Sequence, residues 1–307
     1  MSEIILHHYP TSPFAEKVRV ALGIKRLAWR SVTIPVIMPK PDLVALTGGY
    51  RKTPVMQIGA DVYCDTQCIL RELERRFPEP SLYAGTDAGT ANALAFWTDR
   101  NLFSTAVGVT MAVRPAALPE GFLEDRSRFT GREVNIARLK AALPVMVDQL
   151  RVQLVWYETA LADGRAFLCG DKPTLVDCTV YHSCWFMLSN LGPEAAPLAE
   201  LERLRAWMTR VAELGHGQAS ELSSSAALEI ARAGRPLDRS FSDPHDPFGR
   251  KLGDRVTVTP DDTGRDPVLG ELTALSREEI VIARQDERAG QVAVHFPRAG
   301  FVLRPAA

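Results

Sequence analysis

Hydrophobic periodicity changes character twice along this chain of 307 residues, which divides it into two or three domains rather than one compact core. Up to about residue 82, short apolar runs alternate with amphipathic pieces. Ile4-Ile5-Leu6 reads as a strand at a sheet centre. Ser12-Pro13 punctuates the chain, and Phe14, Val18, Ala21 and Leu22 then mark one face of a helix. Arg30 to Val36 is a second β-rich stretch, and Thr53 to Ile58 reads as a third strand. After a tight turn at Gly59-Ala60-Asp61, Val62-Tyr63-Cys64 returns as a fourth. Asp65-Thr66 opens a helix to about Phe77, ended by Pro78 and Pro80. The order β-α-β, then β-β-α, predicts an α/β domain with a mixed sheet over residues 1–82.

From about residue 88 to 232 the pattern is helical. Ile136, Leu139, Leu143, Val147, Leu150, Leu154, Tyr157 and Leu161 recur at three- or four-residue steps, a stripe that predicts a helix bundle core. Pro144 interrupts it, predicting a kink or a new helix. Thr174 to Leu191 and Leu198 to Leu214 supply further helices. After an irregular linker at Ser240 to Gly249, the pattern turns to alternation, as in Arg255-Val256-Thr257-Val258-Thr259. Parts of 268–275, 280–282, 291–296 and 301–303 complete a set of short strands, so residues 250–307 predict a small antiparallel β domain, barrel-like in spacing. His295-Phe296-Pro297-Arg298 looks exposed and is mixed in character, which fits either a contact surface or packing against the helical domain.

Composition closes off several functions. A net charge of −1 supplies no basic field for nucleic acid or an anionic membrane, so neither is expected as a partner. The five cysteines are sparse and odd in number, against a secreted disulfide framework. Cys64 and Cys68 have no second pair to complete a zinc site, and no metal is expected. The N-terminus lacks a signal-peptide pattern, and no apolar run reaches the roughly 18 residues of a membrane span, so a cytoplasmic location is expected.

Three segments carry chemistry. Ser12-Pro13-Phe14-Ala15 lies between a strand and a helix, where unpaired N–H groups and positive potential suit an anion such as a thiolate. A hydroxyl there can donate to that thiolate and favour its ionised form, although Ser before Pro is also an ordinary helix start. Lys52-Thr53-Pro54-Val55 enters a strand, and a proline there can hold a cis bond in a tight turn, leaving the preceding backbone free for a ligand. Asp65-Thr66 places a carboxylate, a hydroxyl and helix N–H groups together, which suits the zwitterionic end of an amino acid.

In their order and spacing these segments resemble the glutathione transferase superfamily in its serine form. The resemblance covers a thioredoxin-like domain to about residue 82 and an all-helical domain over 88–232, and includes a helix-capping motif at Gly170 to Asp177. It implies that Ser12 hydrogen-bonds the glutathione sulfur, that Thr53 and Pro54 present backbone to its cysteinyl part, and that Asp65 and Thr66 hold its γ-glutamyl end. Lys52 is the candidate for the glycyl carboxylate, with Arg51 and Lys40 behind it. Ser12 is preferred to Tyr9, because aligning Glu16 to Leu22 puts His8 at the tyrosine position of other relatives. Phe14, Trp97 and Asn101, with Phe103 nearby, are expected to line a pocket for a small-molecule electrophile between the domains. Glutathione is the expected co-substrate and a homodimer the expected assembly. The alternative is a glutathione-fold protein that binds ligands or partners without chemistry. Ser12 and Ala15 stand where a redox relative carries cysteines, which disfavours a glutathione-dependent redox enzyme.

Overall fold

The protein, described here by a computed structural model, is placed over residues 3–114, 119–192 and 196–306. The first domain runs β1 (Ile5–His8), α1 (Pro13–Ile24), β2 (Ala28–Thr33), α2 (Pro41–Thr47), β3 (Val55–Ile58), β4 (Asp61–Cys64) and α3 (Thr66–Arg76). β1 pairs parallel with β2 and antiparallel with β3, and β4 pairs antiparallel with β3. Strand alternation splits the side chains cleanly. Leu6, Met56 and Tyr63 join a core shared with the helices, whereas Ile5, Val55 and Val62 join a second core on the other face. The β-rich stretch expected at 30–36 forms earlier, as β2, and α2 lies where the sequence reading placed no element. α2 begins at Pro41, a favoured first helical position, and ends on Gly48 at φ 77°.

The helical region comprises α4 (Ala88–Arg100), α5 (Leu102–Val113), α6 (Phe122–Thr130), α7 (Ile136–Ala160), α8 (Leu175–Leu191), α9 (Ala196–Ala199), α10 (Glu202–Glu213) and α11 (Ser224–Ala233). α7 continues unbroken through Pro144, and its stripe is fully buried only at Leu150, Leu154 and Leu161. α8 packs against α1, α4, α5 and α10. Its capping box is built as the motif predicts. The Asp177 carboxylate accepts from Thr174 N–H and Oγ at 2.8 Å each, and also from Leu168 N–H and the Trp207 indole at 2.8 Å. One strand interrupts the region expected to be helical: β5 (Gln218–Glu221) adds in parallel to the outer edge of β2. Its residues are exposed, so no apolar alternation marks them; Gly215 and Gly217, both at positive φ, turn the chain out of α10 towards that edge.

The C-terminal strands are β6 (Arg255–Pro260), β7 (Val268–Leu275), β8 (Glu279–Asp286), β9 (Gly290–Pro297) and β10 (Phe301–Pro305), with antiparallel neighbours in the order β10-β6-β7-β8-β9. They continue the first sheet, because β9 pairs parallel with β4 through Asp61↔Ala293, Val62↔Val294 and Tyr63↔His295. The result is one ten-stranded sheet, β10-β6-β7-β8-β9-β4-β3-β1-β2-β5. The segment at 295–298 packs rather than standing exposed, but against the first domain and not the helical one: His295 and Phe296 are buried. Phe296 and Phe301 pack on Tyr50, with ring centroids 5.9 and 6.2 Å away. His295 stacks on Tyr63 at 4.3 Å and bonds Asp61 through Nε2 and Glu279 through Nδ1, both at 2.9 Å. Burial opposes its charge, but the two carboxylates outweigh it and hold the imidazole pKa above the ordinary value.

Two outcomes follow. His295→Ala leaves Asp61 and Glu279 buried without their partner. It should cost about 3 kcal/mol in chemical denaturation and expose the 235–250 linker to limited proteolysis. His7, buried and bonded to Gln57 at 2.9 Å, is held down to about pH 4 by burial against an ordinary 6.5. A depressed pKa stabilises the fold above the unfolded-state value and loses that contribution as pH falls through the folded one. Stability should therefore drop between pH 6.5 and 4 by on the order of 3 kcal/mol from His7, with the slope flattened in His7→Gln in a denaturation series.

Candidate functional site

Sheet register brings the three predicted segments to one end of the first domain. His7 near the end of β1 faces Val55 at the start of β3, and Val55 faces Cys64 at the end of β4. The β1–α1 loop with Ser12, the turn entering β3 with Thr53-Pro54, and the β4–α3 junction with Asp65-Thr66 therefore converge. Buried charge shapes the first of them. The Arg19 guanidinium donates to the Pro10 carbonyl at 2.9 Å and to Glu16, pinning the loop onto its own helix. His216 bonds the other Glu16 oxygen at 3.0 Å.

Ser12 caps α1, its Oγ accepting the Ala15 N–H at 3.2 Å, and Pro13 occupies the first helical position. A hydroxyl carries one donor and two acceptor sites, so this cap leaves its proton free to donate. The residue is only 2% exposed. Thr53-Pro54 is a cis peptide. Asp65 sits at φ 74° and caps α3, accepting the Gln67 N–H at 3.0 Å. Burial raises its carboxyl pKa, with Lys52 the leading charge pulling the other way. Thr66 Oγ1 accepts from the Lys17 ammonium at 3.3 Å.

The cations proposed for a ligand carboxylate are all engaged. Lys52 pairs with Asp262, Arg51 pairs with Asp125, and Lys40 donates to Thr53 Oγ1 at 3.1 Å. Lys40 is pulled down to about 8, first by burial and then by the nearby Arg126 and Arg51. Of the aromatic positions, Phe14 packs edge-on to Phe103 at 4.7 Å and lies 4.8 Å from the His182 ring. Trp97 stands instead beside Trp156 at 5.7 Å, and the Asn101 amide donates to the Trp97 carbonyl at 3.0 Å. The contacts thus bring Phe14 together with Phe103, and set Trp97 and Asn101 together on the C-terminal turn of α4.

Sequence reasoning passed over two groups. One is a buried network under the site: Lys17 pairs with Asp99 at 2.6 Å, and Asp99 accepts from Thr179 at 2.7 Å and bonds His182 Nε2 at 3.0 Å. Although burial opposes it, Lys17 and His182 hold the Asp99 carboxyl well below the usual range. Burial keeps His182 neutral-leaning, its pKa lowered. The signal was present, since Lys17 sits between Glu16 and the apolar Val18 on a helix with no polar face to spare. The other group is Asp261 and Asp262, on a loop about 200 residues further along the chain, for which no local pattern exists. Among the described residues no group of three or more His, Cys, Asp or Glu is placed to hold a metal, and no helix is long and apolar enough to cross a membrane.

Residues 6–81 match the family "Glutathione S-transferase, N-terminal domain" and residues 117–210 match "Glutathione S-transferase, C-terminal domain". A GST-like protein from Pseudomonas syringae, known from its crystal structure, is 42% identical over the whole of both chains with a TM-score of 0.78. A glutathione S-transferase from Rhodospirillum rubrum F11 has the same fold at 22% identity and a TM-score of 0.53, covering 68% of this chain and 87% of that one. FtsZ-localized protein A from Caulobacter vibrioides is 28% identical over 180 residues, which are 57% of this chain and 73% of that protein. The chain belongs to the glutathione S-transferase family. The full-length match to the Pseudomonas protein extends over the C-terminal strands as well.

Removing one charge from the buried network should hurt more than removing two. Asp99→Asn leaves the Lys17 ammonium without its counter-ion and should lower stability by about 3 kcal/mol in urea. Adding Lys17→Met to that variant should recover stability; a double variant weaker than Asp99→Asn would refute the charge argument.

Proposed function

We propose that this protein is a glutathione transferase that ionises the glutathione thiol and directs it at a small electrophile. The observation that carries the reading is the meeting of two helix N-termini, those of α1 and α3, with the Thr53-Pro54 turn at one end of the sheet. Both termini favour anions. Ser12 donates its free proton to the glutathione sulfur, and the α1 terminus adds positive potential, so the thiol gives up its proton to solvent at lower pH. Thr53 offers its backbone to the cysteinyl unit. The Asp65 carboxylate takes the γ-glutamyl ammonium, and Thr66 with the α3 N–H groups takes the γ-glutamyl carboxylate. Lys52 is the partner for the glycyl end.

The sulfur then forms an S–C bond with the electrophile as a leaving group departs, or as the attacked carbon's neighbour takes up a proton. Proximity and thiol ionisation supply the rate. Phe14, packed beside Phe103, lines the electrophile side in this reading, with Trp97 and Asn101 as further candidates. A homodimer and a cytoplasmic, detoxifying role are part of the same reading, supported by the family.

A second reading, a glutathione-fold protein that holds ligands or partners without chemistry, draws on one observation and one likeness. Ser12 is almost fully enclosed, and one relative is named for where it localises rather than for a reaction. The thiol pKa separates the two. In the transferase, thiolate absorbance of bound glutathione should titrate at least a unit below the free thiol, and Ser12→Ala should return it towards the free value while lowering kcat/KM with a haloaromatic about ten-fold. Tight binding with an unshifted thiol would instead establish the non-catalytic reading.

A further inference from the structure

The loop joining β6 to β7 leaves the C-terminal strands and lies on the residues that border the candidate glutathione site. Two contacts fix it there, and a third ties it to the β9–β10 turn. Asp261 pairs with Arg100 of α4 and takes a backbone bond from its own N–H to the Gly300 carbonyl at 2.9 Å. Gly264 donates its N–H to the Phe129 carbonyl of α6 at 2.7 Å. Gly264 also has φ 61°, and a Cβ there would meet the Phe129 ring at 2.8 Å, so the backbone is seated directly on that ring. Between these anchors the Asp262 carboxylate is presented to the Lys52 ammonium.

The other two cations near the Thr53-Pro54 turn have partners of a different kind. Asp125, which holds Arg51, is 9% exposed in its side chain and also accepts the Met38 N–H at 3.2 Å, so it is built into the α6 packing. Lys40 is buried and bonded to Thr53. Asp262 differs from Asp125 in being 38% exposed and carried by a loop, opposite a Lys52 whose own side chain is 17% exposed. A carboxylate arriving at Lys52 meets an equal charge already on the same ammonium, and one must yield.

We propose that Asp262 is an intramolecular competitor for the glycyl carboxylate of bound glutathione, and that it sets the selectivity of the site at that end. This rests on the reading that glutathione occupies the site with its glycyl end at Lys52. With Asp262 in place, the site discriminates against a free terminal acid and accepts a thiol peptide whose terminal carboxylate is amidated. The C-terminal strands thereby act on the ligand as well as on the fold, through one side chain that the first two domains do not supply.

The test is calorimetric titration of the full-length protein with glutathione and with glutathione amidated at its glycyl carboxylate, for the wild type, Asp262→Asn and Asp262→Ala. Removing the competing charge should tighten glutathione about five- to ten-fold in both variants and leave the amide within about two-fold. Lys52→Ala should weaken glutathione more in the Asp262→Asn background than in the wild type, because only there is the ammonium free to pair. Weaker or unchanged glutathione binding in both Asp262 variants would overturn the inference alone, since Asp262 would then be orienting Lys52 or standing clear of the ligand. Absence of glutathione binding to every protein, wild type included, would overturn the functional reading and this inference together.

Discussion

Without the last fifty residues, β4 would present a row of unpaired N–H and C=O groups along one edge of the central sheet, a liability for any soluble fold. β9 takes up that edge in parallel register, and its side chains seal the junction. Phe296 reaches Tyr50, and His295 lies between Asp61 and Glu279. Everything distinctive about this molecule depends on that ladder. It makes one sheet of ten strands, gives the second core its outer wall, and brings a foreign loop to the end of the sheet where the helix N-termini meet. The opposite edge is treated in the same way at smaller scale, where β5 shields β2.

Charge is buried on the helix-covered face of the sheet, where it joins segments that apolar packing alone would leave free to slide. Lys17 and Asp99 tie α1 to α4, and through Thr179 and His182 to α8. Glu72 gathers Arg75, Arg76 and Arg239, which tethers the linker that leads to the C-terminal strands. Such pairs contribute little net stability against well-packed apolar residues, but they are strict about geometry, and losing one partner is expensive. That strictness suits a site whose groups come from separate elements and must hold fixed relative positions.

The site is also unusual in how its cations are spent. Lysine and arginine beside a ligand pocket normally wait for an anion, whereas here each already has a partner within the chain. The pairs differ in depth, and depth decides which can exchange. Arg51 and Asp125 are both enclosed, while Asp262 is partly open to solvent, which screens its pairing with Lys52.

Much of this was readable along the chain. The strand–turn–helix start at Ser12, the proline entry at Thr53-Pro54, the cap at Asp65-Thr66 and the capping box at Thr174 to Asp177 are local devices, and each formed where its spacing placed it. The C-terminal strands were visible as alternation for the same reason. What local spacing could not express was partnership over distance. β5 lacks an apolar face and exists because β2 has an open edge; Pro144 lies inside one continuous helix, α7; His295 is buried against Tyr63 of β4. Lys17 found its counter-ion 82 residues away, and Lys52 found Asp262 at a separation of 210. The sequence by itself determined the family and the local turns and helix caps that meet at one end of the sheet, since those follow from short-range backbone geometry. Only the tertiary structure decided which charged groups there are already paired, because electrostatic pairing depends on distance in space and is blind to order along the chain.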